Sequence, residues 1–367
     1  MSKNGNDKDK LEESRIEINK IDDQLIDLIN KRGKIVQKIG EFKKSLNMDV
    51  YQPLREKEII DRIKEKSTIF KSGSIEAIWK EMMSASRQIQ GSIAKVGFLG
   101  PDGTFTHIAA LDYFPKSGTE FRAYNNSLEI FENTEKGEID FGVIPIENSL
   151  QGTVRETLDL LIEKNLIIYG EVEQRITQNL MSLETSDLSK IKTIISHPQA
   201  FAQARKWINT NLSTVNLMNA NSTADAAQRV SESEDESFAA IGPKISSKLY
   251  NLKILSTSIE DNPQNFTRFL IISKKENKQK EGKIKTSIVF ITKHTPGALY
   301  SALKIYAERK INLLKIESRP RRKGLWEYIF LMDFEGNKED SQIKDALEKM
   351  NENVIWYKIL GSYPMAK

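Results

Sequence analysis

The 367-residue chain contains no cysteine and only three histidines, His107, His197 and His294. The first absence excludes disulfides, a thiolate nucleophile, iron–sulfur clusters and thiolate zinc sites. The histidines are so scattered that a metal cluster would have to be gathered from remote segments, so no metal site is expected. Chemistry should therefore rest on Arg, Lys, Asp, Glu, Ser, Thr, Asn and Gln. Charge of one sign is missing too: 55 Lys and Arg against 51 Asp and Glu leave a net +4, interspersed along the chain, which gives no case for a nucleic-acid surface. No apolar run approaches the ~20 residues that span a bilayer. The opening MSKNGNDKDK lacks the apolar stretch of a signal peptide. A soluble cytoplasmic protein is expected, with neither nucleic acid nor membrane as partner.

What is present suits several packed cores. Hydrophobic residues make up 39%, and single cores stop growing near ~250 residues, so the length predicts two or three domains. From Leu11 to about Gly91 the pattern is helical; from Lys95 onward short β-rich runs (KVGFLG, FGVIPI, KTIIS) alternate with helical ones. A polar, mostly charged stretch, SKKENKQKEGK at 273–283, reads as a linker. Beyond it the order strand, helix, strand, strand, helix, strand predicts a small βαββαβ sandwich. The expected domains are 1–92, 94–273 and 285–365.

In the first segment Ile18, Ile21, Leu25, Leu28, Ile35, Ile39 and Phe42 step by threes and fours like a helix seam, and Arg32 fills the one gap. A guanidinium cannot be neutralised, so on an apolar stripe it requires an anion. Lys43, eleven residues on, returns to nearly the same face. Some 36 helical residues span about 54 Å, more than the roughly 30 Å of a compact domain this size, so the helix should pair with a second copy. Arg15 points some 100° away from Arg32 and could serve the other site of an intertwined dimer. Pro53 suits the first turn of a second helix bearing Arg55 and Glu56. A third helix places Ile75, Ile78, Trp79 and Met82 on one stripe, continued by Ser86 and Gln90. Together Arg15, Arg32, Lys43, Arg55, Glu56, Ser86 and Gln90 describe a pocket for a small polyanion. With Gln52, this segment resembles the all-helical chorismate mutase domain. The resemblance implies that chorismate is held by these residues in its reactive conformer, with Lys43 and Gln90 at the ether oxygen and Arg15 supplied by a partner chain.

The middle segment carries GPDGTFT (100–106), PIENS (145–149), GTV (152–154), SHPQA (196–200), NSTA (221–224) and TRF (267–269). Most follow a predicted strand and open onto a helix, where backbone N–H groups favour anions. In this order they resemble prephenate dehydratase, with TRF after Pro-Gln-Asn as the most specific signature. The implied fold is two α/β subdomains arranged like a periplasmic binding protein. The implied reaction removes water and carbon dioxide from prephenate. Thr267 is the expected hydrogen-bond donor to the departing hydroxyl. Thr104, Glu147, Asn148, Ser149, Thr153, Gln199, Ser222 and Arg268 are expected around the substrate. His197, before a proline at a strand end, is expected to be a turn residue rather than a general acid.

The C-terminal TPGAL (295–299) and IESRP (316–320) resemble the ACT domain. This implies L-phenylalanine as effector, met by Gly297, Ala298, Leu299, Glu317 and Ser318. The whole reading is a multidomain enzyme: an all-α mutase, an α/β two-subdomain dehydratase and an α+β ACT module. It would need no cofactor or metal, and would assemble as a homo-oligomer, dimer or tetramer. No GxGxxG follows a strand, which disfavours a mutase fused to a dehydrogenase. A non-catalytic amino-acid-responsive sensor is the alternative.

Overall fold

The computed structural model describes residues 3–46, 53–91, 93–278, 282–320 and 328–366. The chain divides into two compact units. One runs to Ile93 and includes Pro115–Thr119; the other comprises Ala94–Phe114 and Glu120–Lys367.

The first unit contains α1 (Lys3–Ser45), α2 (Pro53–Lys66) and α3 (Ser72–Ile89). α1 starts eight residues before the expected Leu11 and spans 43 residues, or about 65 Å at 1.5 Å per residue. Its seam, Ile18 through Phe42, is exposed at all seven positions, from 41% at Ile39 to 66% at Phe42. Within one chain the long helix thus leaves its apolar stripe uncovered. Val36 and Gly40 of α1 are buried instead, and α1 meets α3 through Arg32 and Ser86. On α3 the buried side is Ile75, Met83, Ser84, Ser86 and Arg87, while Ile78, expected on the apolar stripe, is exposed.

The second unit opens with β1 (Ala94–Leu99), α4 (Phe105–Tyr113), β2 (Thr119–Tyr124), α5 (Ser127–Lys136), β3 (Phe141–Asn148), β4 (Gly152–Thr153), α6 (Arg155–Glu163) and β5 (Ile167–Arg175). The chain then builds a second sheet through β6 (Asn179–Ser182), β7 (Thr193–Ser196), α7 (Pro198–Gln203), α8 (Arg205–Asn211), β8 (Asn216–Asn219), α9 (Thr223–Ser233), β9 (Phe238–Gly242), α10 (Lys244–Leu249) and β10 (Lys253–Ser256). It returns to the first sheet as β11 (Phe266–Ser273). The first sheet has order β2-β1-β3-β11-β5, with β4 on β3, and the second β10-β6-β9-β7-β8. Because β11 inserts between β3 and β5, antiparallel to both, the TRF motif lies beside the ENS motif although they are more than a hundred residues apart in sequence.

The last part is β12 (Ile284–Thr292), α11 (Ala298–Glu308), β13 (Leu313–Pro320), β14 (Tyr328–Glu335), α12 (Ser341–Asn353) and β15 (Val354–Pro364), the expected βαββαβ. Its antiparallel sheet, β13-β14-β12-β15, is covered on both faces. Ile288, Phe290, Met332 and Phe334 pack with α11 and α12 through Tyr306, Ile343 and Met350. Val289, Ile291, Leu331 and Tyr363 join Leu270 and Ile272 of β11 and Leu158 of α6 in a second core. This two-sided burial explains why β12 reads as a continuous apolar run instead of an alternation. At Gly361 of β15 a Cβ would lie 2.4 Å from the Ile168 carbonyl oxygen of β5, so only glycine permits that approach.

Candidate active sites

In the helical unit Arg32 of α1 meets α3, and Lys43 lies near Glu56 of α2. Arg32 donates from Nη1 to Ser86 Oγ, and Ser86 Oγ donates to the Met82 carbonyl at 2.7 Å. Gln90 Nε2 donates to the Ser86 carbonyl at 3.2 Å, while its buried Oε1 has no partner among the described residues. Burial lowers the pKa of both Arg32 and Lys43, and the nearby Glu56 carboxylate partly offsets it. Four expected residues therefore share one electrostatic site with Glu56. Glu56 itself is ion-paired with Arg87, a residue that sequence reasoning passed over. Arg87's signal was its place next to Ser86 on a helix whose buried face is polar. Gly40 was also missed. A Cβ there would come within 2.8 Å of Gln90 Cγ and 3.2 Å of its Cα, so the glycine lets α3 bring Gln90 against α1. Arg15 and Arg55 point to solvent, paired within their own helices with Glu12 at 3.3 Å and Glu58 at 2.8 Å. Gln52 lies outside the described residues.

The second site is a ladder. Thr267 on β11 faces Asn148 on β3, and the orientation of the Asn148 amide is fixed by its surroundings. Its Oδ1 accepts from the backbone N–H groups of Leu150 (3.1 Å) and Gln151 (3.2 Å). Its Nδ2 must then donate the other way, toward Asn265 Oδ1 at 2.8 Å, Thr267 Oγ1 at 2.9 Å and the Phe266 carbonyl at 3.1 Å. Because Thr267 Oγ1 accepts from Asn148, its own hydrogen is available for a ligand. Asn265 must offer its oxygen to Asn148. Its Nδ2 is buried and without a partner among the described residues, a second donor beside Thr267. Asn265 is the Asn of the Pro-Gln-Asn signature and was not foreseen as part of the site.

Neighbouring strand residues alternate faces, and the contacts follow that rule. Glu147 and Arg268, one step from Asn148 and Thr267, pair with each other at 3.2 Å. Arg268 also meets Glu171 at 3.4 Å and Asp333 at 2.7 Å, and Lys285 meets Glu171 at 2.6 Å. The side chains of Glu171 and Asp333 are each only 2% exposed. Burial pushes the Asp333 carboxyl up, but Arg268 and Lys285 outweigh it and hold it below the ordinary value. Arg268 is thus engaged in a buried ion network with the C-terminal sheet.

The other expected residues are held locally. Ser149 Oγ accepts from Phe266 N at 3.0 Å and donates to the Gln264 carbonyl at 3.2 Å. Thr104 and Ser222 are the N-caps of α4 and α9, accepting from His107 N and Asp225 N. His197 caps α7, accepting from Gln199 N at 3.2 Å. Burial lowers its pKa, which disfavours the imidazolium. Gln199 stands at the start of α7, in the second subdomain. Gly297 is the left-handed residue (φ 81°) before α11, on an open concavity of about 560 Å³ lined by residues 292–300. Ser318 lies on β13 opposite Phe330. Glu317, expected to meet an effector ammonium, instead bonds Thr153 of β4 and Lys315.

Fold and sites define a multidomain enzyme: an all-helical unit with half-buried cations, a two-subdomain α/β unit with the Asn148–Thr267 bond on its central ladder, and a βαββαβ module. Comparison with known families agrees. Chorismate mutase type II matches residues 14–91, prephenate dehydratase 96–277 and the ACT domain 286–352. The bifunctional chorismate mutase/prephenate dehydratase of Aquifex aeolicus (strain VF5) is 38% identical over 98% of this chain and 99% of its own. Among solved structures, prephenate dehydratase from Arthrobacter aurescens in complex with L-Phe is 35% identical with a TM-score of 0.68, covering 74% of this chain and 90% of its own. GqqA, described as a quorum quenching acylase, is 29% identical with a TM-score of 0.67, covering 74% and 98%. The chain belongs to the bifunctional chorismate mutase/prephenate dehydratase family.

Proposed function

We propose that this protein converts chorismate to prephenate and prephenate to phenylpyruvate, carbon dioxide and water, under feedback inhibition by L-phenylalanine. The mutase is assigned to residues 1–92, the dehydratase to 94–273 and the regulatory module to 285–365. The observation that carries the reading is the coexistence in one chain of the Arg32–Lys43–Glu56–Ser86–Gln90 cluster and the oriented Asn148–Thr267 pair. A pericyclic rearrangement requires no nucleophile and no proton transfer. It requires the dicarboxylate held in its reactive conformer and the negative charge developing on the ether oxygen stabilised. Lys43 and the amide of Gln90 supply that stabilisation, and Arg32 holds a carboxylate. The uncovered seam of α1 supports a homodimer, or a tetramer of such dimers, in which Arg15 completes the partner's site. The absence, among the described residues, of any helix long and apolar enough to cross a membrane agrees with work in the cytoplasm.

In the second step aromatisation drives the loss of water and carbon dioxide, so the enzyme must chiefly assist departure of hydroxide. A neutral threonine is a weak acid. Thr267 acts by donating its hydrogen bond to the departing hydroxyl, its oxygen polarised by Asn148. Gln199 and Ser222 approach from the second subdomain, Thr104 from the start of α4. Phenylalanine acts by binding a less active state more tightly, at the Gly297–Leu299 turn.

Turnover measured with chorismate and with prephenate, each with and without phenylalanine, tests the reading. Phenylpyruvate should form from both substrates and fall with added phenylalanine. A protein that forms no phenylpyruvate from prephenate would refute it in favour of a sensor.

A further inference from the structure

We infer that Lys315 of the C-terminal module is a positioning residue of the dehydratase site, acting on the reverse face of the Asn148–Thr267 ladder. The inference rests on the dehydratase reading above. Lys315 Nζ reaches Glu147 at 2.7 Å, Thr153 Oγ1 at 3.1 Å and Glu317 at 3.2 Å, and Glu317 in turn bonds Thr153. Glu147 and Thr153 lie directly opposite each other across β3 and β4, one register step from Asn148 and Gly152. One ammonium therefore bridges both strands of the hairpin whose tip N–H groups, Leu150 and Gln151, orient Asn148.

The connection from clasp to chemistry is short. Glu147 precedes Asn148 along the same strand and pairs with Arg268, the neighbour of Thr267. Around this face stand three cations, Lys315, Arg268 and Lys285, and four carboxylates, Glu147, Glu171, Glu317 and Asp333. Removing Lys315 takes away the ammonium that ties Glu147 of β3 to Thr153 of β4, so the hairpin loses its clasp and can shift. The displaced group would be Asn148, and through it the donor direction of Thr267. Such an error costs the transition state more than ground-state binding, because the hydroxyl bond strengthens only as hydroxide departs. Misplacement on the order of 1 Å can cost up to ~100-fold in rate.

The test is steady-state dehydratase kinetics of full-length Lys315→Gln, Lys315→Arg and Lys358→Gln, with mutase turnover and thermal unfolding recorded in parallel. Lys358 is the comparator: it also ties the C-terminal sheet to the dehydratase, but through the carbonyls of Leu161 (2.9 Å), Ile162 (3.3 Å) and Lys164 (2.6 Å) near the end of α6, away from the ladder. Lys315→Gln should lower kcat about tenfold with KM within about twofold. Lys315→Arg should restore kcat to within about threefold, and Lys358→Gln should lose no more than that. A Lys315→Gln kcat within about twofold of the unaltered enzyme, or an equal loss in Lys358→Gln, overturns the inference. Should Lys315→Gln fail to fold, Lys315→Gln/Glu317→Gln, which removes one charge of each sign, carries the same comparison. An unaltered enzyme that forms no phenylpyruvate would overturn the dehydratase reading itself, an outcome distinct from the others.

Discussion

Replacing Thr267 by valine removes one hydroxyl from a β-branched side chain and little else. Thr267 is the second residue of β11, a strand flanked on both sides, and pairs with Asn148 and Gln174, where valine is at least as good a strand former. The lost hydrogen bond is the 2.9 Å contact from Asn148 Nδ2. That amide keeps Asn265 Oδ1 at 2.8 Å and the Phe266 carbonyl at 3.1 Å, so no donor is orphaned and the stability cost is about 1 kcal/mol. For a unit of this size that is a fall of roughly 2–4 °C in Tm. The kinetic loss should be far larger. Hydrogen-bond assistance to a departing hydroxide is worth about 10²–10⁴-fold, or roughly 2.7–5.4 kcal/mol of barrier. Phenylpyruvate formation from prephenate should therefore fall at least a hundredfold in kcat, with KM changed only a few-fold and chorismate rearrangement unaffected. A Thr267→Val enzyme within threefold of full dehydratase turnover would refute the assignment, because the small stability change cannot mask an intact mechanism.

Three further outcomes follow from the geometry. Lys43 must be charged to assist the ether oxygen, and burial lowers its pKa. Mutase turnover should thus decline as pH rises through a value below the ~10.4 of free lysine, and Lys43→Arg should shift that alkaline limb upward. Stability has the opposite sign. A lysine binding fewer protons folded than unfolded destabilises the folded state below its lowered pKa, and the penalty is relieved as pH rises toward the unfolded value; pH-dependent unfolding checks this. Gly40→Ala gains up to about 1 kcal/mol of helix propensity but places a Cβ 2.8 Å from Gln90 Cγ. It should lower mutase kcat several-fold while leaving dehydratase turnover intact. Arg268→Met leaves Glu171 and Asp333, among the described residues, with Lys285 as their remaining cation. It should cost about 3–5 kcal/mol and depress the melting of the second unit by roughly 10 °C in calorimetry.

Sequence periodicity reveals elements better than it reveals which way their faces turn. The seam of α1 is plain in the spacing of Ile18 to Phe42, and Arg32 announces itself as the interruption. Yet the same seam lies exposed in the chain, because an apolar stripe of that length is made for a second helix rather than its own domain. The βαββαβ order is equally visible, since strand and helix periods differ so clearly. The docking of the C-terminal sheet onto β5, β11 and α6 is not. Buried strands read as unbroken apolar runs whether one helix layer or a second sheet covers them, and the ionic partners that fix the contact, Glu171, Lys285, Lys315 and Asp333, resemble ordinary surface charges until β11 places Arg268 among them.

Adjacent letters of a motif on a strand are also separate instructions. In Glu147-Asn148 and Thr267-Arg268 the two-residue period sends one member to each face, so each dipeptide holds one partner of the Asn148–Thr267 hydrogen bond and one charge of the contact with the C-terminal sheet. Grouping all four around one substrate is what linear proximity suggests. The observed pairing is across strands instead, Asn148 with Thr267 and Glu147 with Arg268. The arrangement ties two properties together physically: any change that shifts the C-terminal sheet pulls on Glu147 and Arg268, and cannot do so without moving the backbone that carries Asn148 and Thr267. A small displacement is enough to alter the Asn148–Thr267 bond, since hydrogen-bond strength falls steeply with angle and distance.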